Sequence, residues 1–115
     1  MLLNLTNHPS SQWSEKQYNH ALELYKEVID LPFPQILPSL GSSAFDFLVN
    51  EYEQKIRQIN PLAVHIMGEM TFSFSLVQRL KAIGILCIAS TTERITEQIG
   101  NTKTSRFEFV QFRSY

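Results

Sequence analysis

The runs Leu62–Met67 (LAVHIM) and Ile85–Ser90 (ILCIAS) are almost unbroken in apolar side chains, and a helical pattern lies between them. A strand that alternates apolar and polar residues needs cover on one face only. A strand that is apolar throughout needs cover on both, which a parallel sheet flanked by helices provides. The pair therefore predicts a β-α-β unit. Its helix, expected over about Phe72–Ile83 with Phe74, Val77, Leu80 and Lys81 along it, stops at Gly84, where a C′ glycine belongs.

The rest of the chain fits the same plan. Met1–Thr6 is a short apolar run broken by Asn7-His8-Pro9-Ser10, a first strand and a polar turn. Ser14 with Gln17 three residues later predicts a capped helix start, and Trp13 with Tyr18 sits at the positions of a hydrophobic staple. Tyr18, Ala21, Leu22 and Tyr25 keep one face of that helix apolar. Val28–Phe33 reads as a second strand stopped by Pro32 and Pro34, and Gln35–Ser42 as an irregular loop. Ser43 can cap a second helix, carrying Phe45, Leu48, Val49, Tyr52, Ile56 and Ile59 on one face and ended by Asn60-Pro61. Thr91–Ile99 fits a short helix or a strand, whereas Arg106–Arg113 alternates as a strand does. The turn-like Gly100–Lys103 between them favours a hairpin. The expected fold is an α/β, small Rossmann-like three-layer domain over residues 1–115. Its sheet is mostly parallel, with a C-terminal antiparallel strand or hairpin.

Length and charge narrow the function. A chain of 115 residues is one domain, large enough for a core of its own. Ten Lys and Arg against eleven Asp and Glu leave a net charge of −1, which argues against coating duplex nucleic acid. No stretch approaches the roughly 20 apolar residues of a membrane helix. The N-terminus lacks the basic and apolar regions of a signal peptide, so no membrane partner and a cytoplasmic location are expected. One cysteine, Cys87, excludes an internal disulfide and reads as a small buried hydrophobe. Neither GxGxxG nor GxxxxGK[ST] occurs, no metal-ligand spacing is present, and no cofactor is expected.

In an open parallel sheet, ligands bind beyond the carboxyl ends of the strands. The turns there carry Thr6, Asn7, His8 and Ser10; Gly68, Glu69, Thr71 and Ser73; and Ser90, Thr91, Thr92, Glu93 and Arg94. Hydroxyls and helix-terminal N–H groups suit anions, Asn7 can read a base or ribose edge, and Arg94 can grip phosphate through two bonds. An imidazole ordinarily changes charge near neutral pH, which suits His8 to proton transfer. Each residue also has an ordinary explanation: Ser10, Ser14, Ser43 and Thr71 as helix caps, His8 as a turn residue, Glu69 and Arg94 as solvated charges. His20 on a helix and His65 within a strand are read as structural.

Two segments carry a resemblance. LLNLTNHPS and AVHIMGEMTFSFSLVQRLKAIGILCIASTTER are similar to small CRISPR-associated proteins with a CARF-like (CRISPR-associated Rossmann-like) fold, over about half of the chain. The resemblance implies binding of a cyclic oligoadenylate second messenger by a homodimer, the ring lying across the two-fold axis above the strand ends. In ring-nuclease relatives it also implies slow, metal-independent cleavage of that ring. It places Asn7, His8 and Ser10 in the first ligand-contacting turn, Gly68, Glu69 and Thr71 in the second, and Thr91, Thr92 and Arg94 nearby. This sequence departs from a strongly basic pocket: no Lys lies in these turns, and Glu69 would repel phosphate.

For cleavage, a ribose 2′-OH would attack its adjacent phosphodiester, with His8 transferring the proton and Thr71, Thr92, Arg94 and backbone N–H groups stabilising charge. One alternative expectation is a non-catalytic homodimeric interaction module of a CRISPR or other defence system, built on the apolar residues that Phe107–Tyr115 places on both faces of its strand; another is a small Rossmann-like enzyme acting on a different phosphorylated metabolite.

Overall fold

A computed structural model describes all 115 residues. The elements run β1 (Leu2–Thr6), one 3-10 turn (Ser10–Gln12), α1 (Glu15–Tyr25), β2 (Val28–Asp30), α2 (Ser42–Ile59), β3 (Ala63–Met67), α3 (Met70–Ala82), β4 (Leu86–Ile99) and β5 (Thr102–Ser114). One sheet has the order β2-β1-β3-β4-β5, parallel through β4 and antiparallel at β5. The fold is the α/β, Rossmann-like arrangement expected from the two apolar runs.

The strand order explains where the helices lie. The chain steps one way from β1 to β2 and the other way to reach β3 and β4, so crossovers of one hand place their helices on opposite faces. On one face, Val49 and Ile56 of α2 and Phe72, Leu76 and Leu80 of α3 cover Leu3, Leu5, Val64 and Ile66. The other face has only α1, and its buried apolar cluster shrinks to Leu2, Ala21, Ala63 and Ile88, with Phe109 of the last strand buried beside α1. Toward the carboxyl ends of β1 and β3 that face carries buried polar residues instead: Asn4, Thr6 and His65.

Several local expectations are refined. Ser14 caps α1, its hydroxyl accepting from the Gln17 N–H at 3.2 Å. Asn60 ends α2 in the left-handed region, and Gly84 follows α3 at φ 84°. The second strand stops at Asp30 rather than Phe33, because Pro32 and Pro34 cannot supply ladder N–H groups. α2 begins one residue before Ser43, with Gly41 as N-cap. α3 is capped by Glu69, whose carboxylate accepts from the Thr71 and Phe72 N–H groups, not by a hydroxyl residue. Its buried face is Phe72, Ser73, Leu76, Val77 and Leu80; Phe74 is 65% exposed.

The largest difference is in β4, which does not end at Ser90 but runs on to Ile99 as one arm of a long hairpin. Gly100 (φ 61°) and Asn101 make its two-residue turn, the glycine-first pattern that suits the twist of paired strands. β3 pairs with β4 only through Ile88, so beyond it the hairpin stands as a two-stranded arm. The radius of gyration is 16.1 Å, against about 13 Å for a compact chain of this length. A β-bulge opposite Thr91/Thr92 leaves Val110 without a partner residue. By bending the strand there it brings Phe109 and Phe112 to one face, ring centroids 4.9 Å apart, where simple alternation would separate them. No helix is long and apolar enough to cross a membrane.

Candidate functional site

The strand order reverses between β1 and β3, and a cleft of about 560 Å³ opens at their carboxyl ends. It lies on the face that α1 alone covers, where the sheet is left partly bare. Thr6 and His65 form its floor, and Asn7, His8 and Gly68 its strand-end rim. Ser14 and Gln17 bring in the first turn of α1, and Trp13, Phe107 and Phe109 add aromatic walls. Ser90 and Thr92 complete the β4 side. No Lys, Arg, Asp or Glu lines it.

A row of hydrogen bonds underlies the floor. Asp30, Asn4 and His65 are in register across β2, β1 and β3. The Asn4 amide Nδ2 donates to Asp30 Oδ1 at 2.8 Å and to the His8 carbonyl at 2.9 Å. Both partners are acceptors, which fixes the amide orientation and turns Asn4 Oδ1 toward His65 Nδ1, 2.9 Å away. The Thr6 hydroxyl lies 3.0 Å from both Asn4 Oδ1 and the His8 carbonyl and accepts from the His8 N–H. Ser10 closes the outer end, its N–H and hydroxyl donating to the two Asp30 oxygens at 3.0 and 2.9 Å.

These contacts set the charges. Burial pushes His65 down to about 4, so the ring is neutral at physiological pH. Burial opposes ionisation of Asp30, but the hydrogen bonds from Asn4 and Ser10 outweigh it and hold that carboxyl below its ordinary value. The Thr71 hydroxyl, then the Phe72 and Thr71 N–H groups, likewise hold Glu69 low. Cys87 is buried away from the cleft, and burial pushes its thiol up to about 11.

Of the residues named from sequence, Asn7, His8, Gly68 and Thr92 line the cleft. Ser10 is bound to Asp30 beside it. Glu69 and Thr71 are bonded to each other at the start of α3, Thr71 Oγ1 lying 2.7 and 2.8 Å from the two carboxylate oxygens. Thr91 is taken up by the bulge, its hydroxyl donating to the Gln111 carbonyl at 3.1 Å. Arg94 lies further out on the arm, 3.3 Å from the Ser105 hydroxyl. The cause is the continuation of β4: in a strand, unlike a turn, alternate residues face opposite ways, so Ser90 and Thr92 point to the cleft face and Thr91 does not. His65, Trp13, Phe107 and Phe109 were not singled out as site residues. Trp13, expected to staple Tyr18, packs perpendicular to His65 with centroids 5.3 Å apart.

The sequence pattern of the Uncharacterized protein MJ1673 family matches residues 1–113. The chain belongs to that family. No curated protein and no solved structure matches it. The MJ1673 family match spans every element but the last residue of β5, so the cleft, the polar row and the hairpin turn fall within the matched region. No group of three or more His, Cys, Asp or Glu side chains in this MJ1673-family chain is placed to hold a metal ion.

Proposed function

We propose that this protein binds a cyclic oligoadenylate as a homodimer, each copy holding part of the ring in the cleft at the ends of β1 and β3. The observation that carries the reading is the cleft itself: a switch-point cavity with aromatic walls and an uncharged polar floor. Trp13, Phe107 and Phe109 offer surfaces for an adenine base. Asn7 has the donors and acceptors to read a base or ribose edge. The start of α1 borders the cleft, where its positive dipole end favours a phosphate. The likeness of LLNLTNHPS and the MGEMTF segment to CARF-like CRISPR-associated proteins supplies the identity of the ligand.

The geometry favours binding over cleavage. In-line attack by a 2′-OH needs a proton acceptor and charge stabilisation at the phosphoryl oxygens. His8 lines the cleft and can serve as the first. Thr92 lines it too, but Thr71 and Arg94, the other side-chain stabilisers expected from sequence, lie elsewhere within one copy. A second copy is also the natural cover for the arm, since an isolated two-stranded hairpin is at best marginally stable in water. That arm supports the alternative reading too, a non-catalytic homodimeric interaction module of a defence system.

Thermal shift and calorimetric titration with cyclic tri-, tetra- and hexa-adenylate test the proposal, because a ligand of the native state raises the melting temperature. A stabilising ring with a stoichiometry of one ring per two chains supports it. Absence of binding by every ring overturns it and leaves the interaction module. Chromatography of the bound ring after incubation in EDTA then separates binding from metal-independent cleavage.

A further inference from the structure

His65 is the buried titratable group that the proposed binding mode leaves without a task. It is 2% exposed, and its Nε2 has no hydrogen-bond partner in the protein. A buried polar atom left unpaired is costly, and native structures hold few of them. It also lines the cleft. The neighbours offer no substitute: Trp13, perpendicular to the ring at 5.3 Å, donates its Nε1–H to the His8 carbonyl, and Phe112, at 5.6 Å and 74°, has no donor.

The protonation of that nitrogen follows from the row behind it. Asp30 Oδ1 and the His8 carbonyl both demand hydrogens, so Asn4 turns its NH2 to them and its carbonyl to His65. A carbonyl opposite Nδ1 requires the proton on Nδ1. The neutral ring therefore carries a bare lone pair on Nε2, and the Asp30–Asn4 pair holds this tautomer in place.

We infer that His65 Nε2 is a specificity-determining acceptor that takes a hydrogen bond from an N–H or O–H donor of the bound ligand, reached when the Trp13 side chain swings aside. The inference rests on the nucleotide reading and adds to it which group of the ligand is read. Two groups of an adenosine unit have this chemistry, the exocyclic amine of the base and a ribose hydroxyl. A phosphate oxygen, an acceptor only, does not.

Three measurements on the unaltered protein test this. Nitrogen-15 spectra should show His65 protonated at Nδ1 and bare at Nε2 in the free protein; the opposite tautomer overturns the inference. Cyclic tetra-adenylate and adenosine should then shift the Nε2 resonance and change the emission of Trp13, the one tryptophan in the chain. Finally, purine riboside, which lacks the amine, and 2′-deoxyadenosine, which lacks the one hydroxyl left free in the ring, identify the donor. The analogue without it should bind about tenfold more weakly and leave Nε2 unmoved. If adenosine moves Nε2 but no cyclic ring binds, the ring reading fails and the acceptor stands. If rings bind while all analogues match adenosine and Nε2 stays still, the acceptor fails and the ring reading stands. If no probe binds, both fall.

Discussion

Asn4 Oδ1 and His65 Nδ1 meet at 2.9 Å across a register pair of adjacent parallel strands, 61 residues apart in sequence. Local sequence cannot create this contact; only the alignment of β1 with β3 does. It joins the outermost carboxylate of the row, Asp30, to the floor of the cleft.

Replacing Asn4 tests how much that row holds. Asn4→Ala strips partners from His65 Nδ1, from Asp30 and from the His8 carbonyl at once. A loss of about 2–4 kcal/mol in urea unfolding is expected, since buried polar groups left unpaired cost ~1–3 kcal/mol each and solvent relieves those nearer the surface. Ser10→Ala, at the exposed end of the same row, should cost under about 1 kcal/mol. Equal effects would deny the row its inner weight.

Acid should weaken the fold in a defined window. The His65 value falls from 6.5 in the unfolded chain to about 4 in the folded one. Between these values the unfolded state binds more protons, so stability is full above pH 6.5 and is lost as pH falls toward 4. The loss should reach about 3 kcal/mol for this group alone. Asp30 and Glu69, both held low, act in the same direction at lower pH. Urea midpoints that stay flat from pH 6.5 to 4.5 would contradict a buried neutral ring.

How much of this was legible depended on the range of each cause. Ser14, Asn60 and Gly84 announce helix ends by local chemistry, and each stands where its residue type predicts. The apolar runs around Val64 and Cys87 signal a parallel sheet with helices on both faces, because a strand buried on both sides loses the polar alternation of a half-exposed one. Asn4 carries no signal of its own and His65 reads as structural because each is a single polar residue inside an apolar run, and their meaning appears only when the strands align. Thr91 and Arg94 were misplaced by a strand boundary: Ser90–Arg94 is polar enough to resemble a turn, yet β5 gives it a pairing partner. His65 had one visible signal, a polar residue at the midpoint of its strand matching another in the first.

Gly68 offers a steric test. A Cβ there would come within 2.4 Å of the Phe33 ring, which itself packs edge-on against Phe72 at 5.3 Å. Gly68→Ala should therefore destabilise by about 1–3 kcal/mol, as overpacking does. Adding Phe33→Leu should recover much of the loss. Failure of the second change to help would locate the strain elsewhere.

The arm should be the most labile segment. Residues beyond Thr92 on β4 pair only with β5, and Ile99 and Phe107 are 78% and 69% exposed. Hydrogen exchange at low protein concentration should be fastest there among the strands. If two copies cover each other's arms, protection there should rise with concentration while β1 and β3 stay unchanged. Protection independent of concentration would count against that pairing.

Val110 has a consequence for how such a protein can be altered. It is the extra residue of the bulge, and the partners on either side of it keep the same in-and-out phase: Phe112 opposite Ser90, Phe109 opposite Thr92. Deleting Val110 would straighten the ribbon yet leave each aromatic ring on its present side. The direction in which the arm reaches and the residues it shows to the cleft are thus separable traits, set by the presence of one residue and by the identity of others.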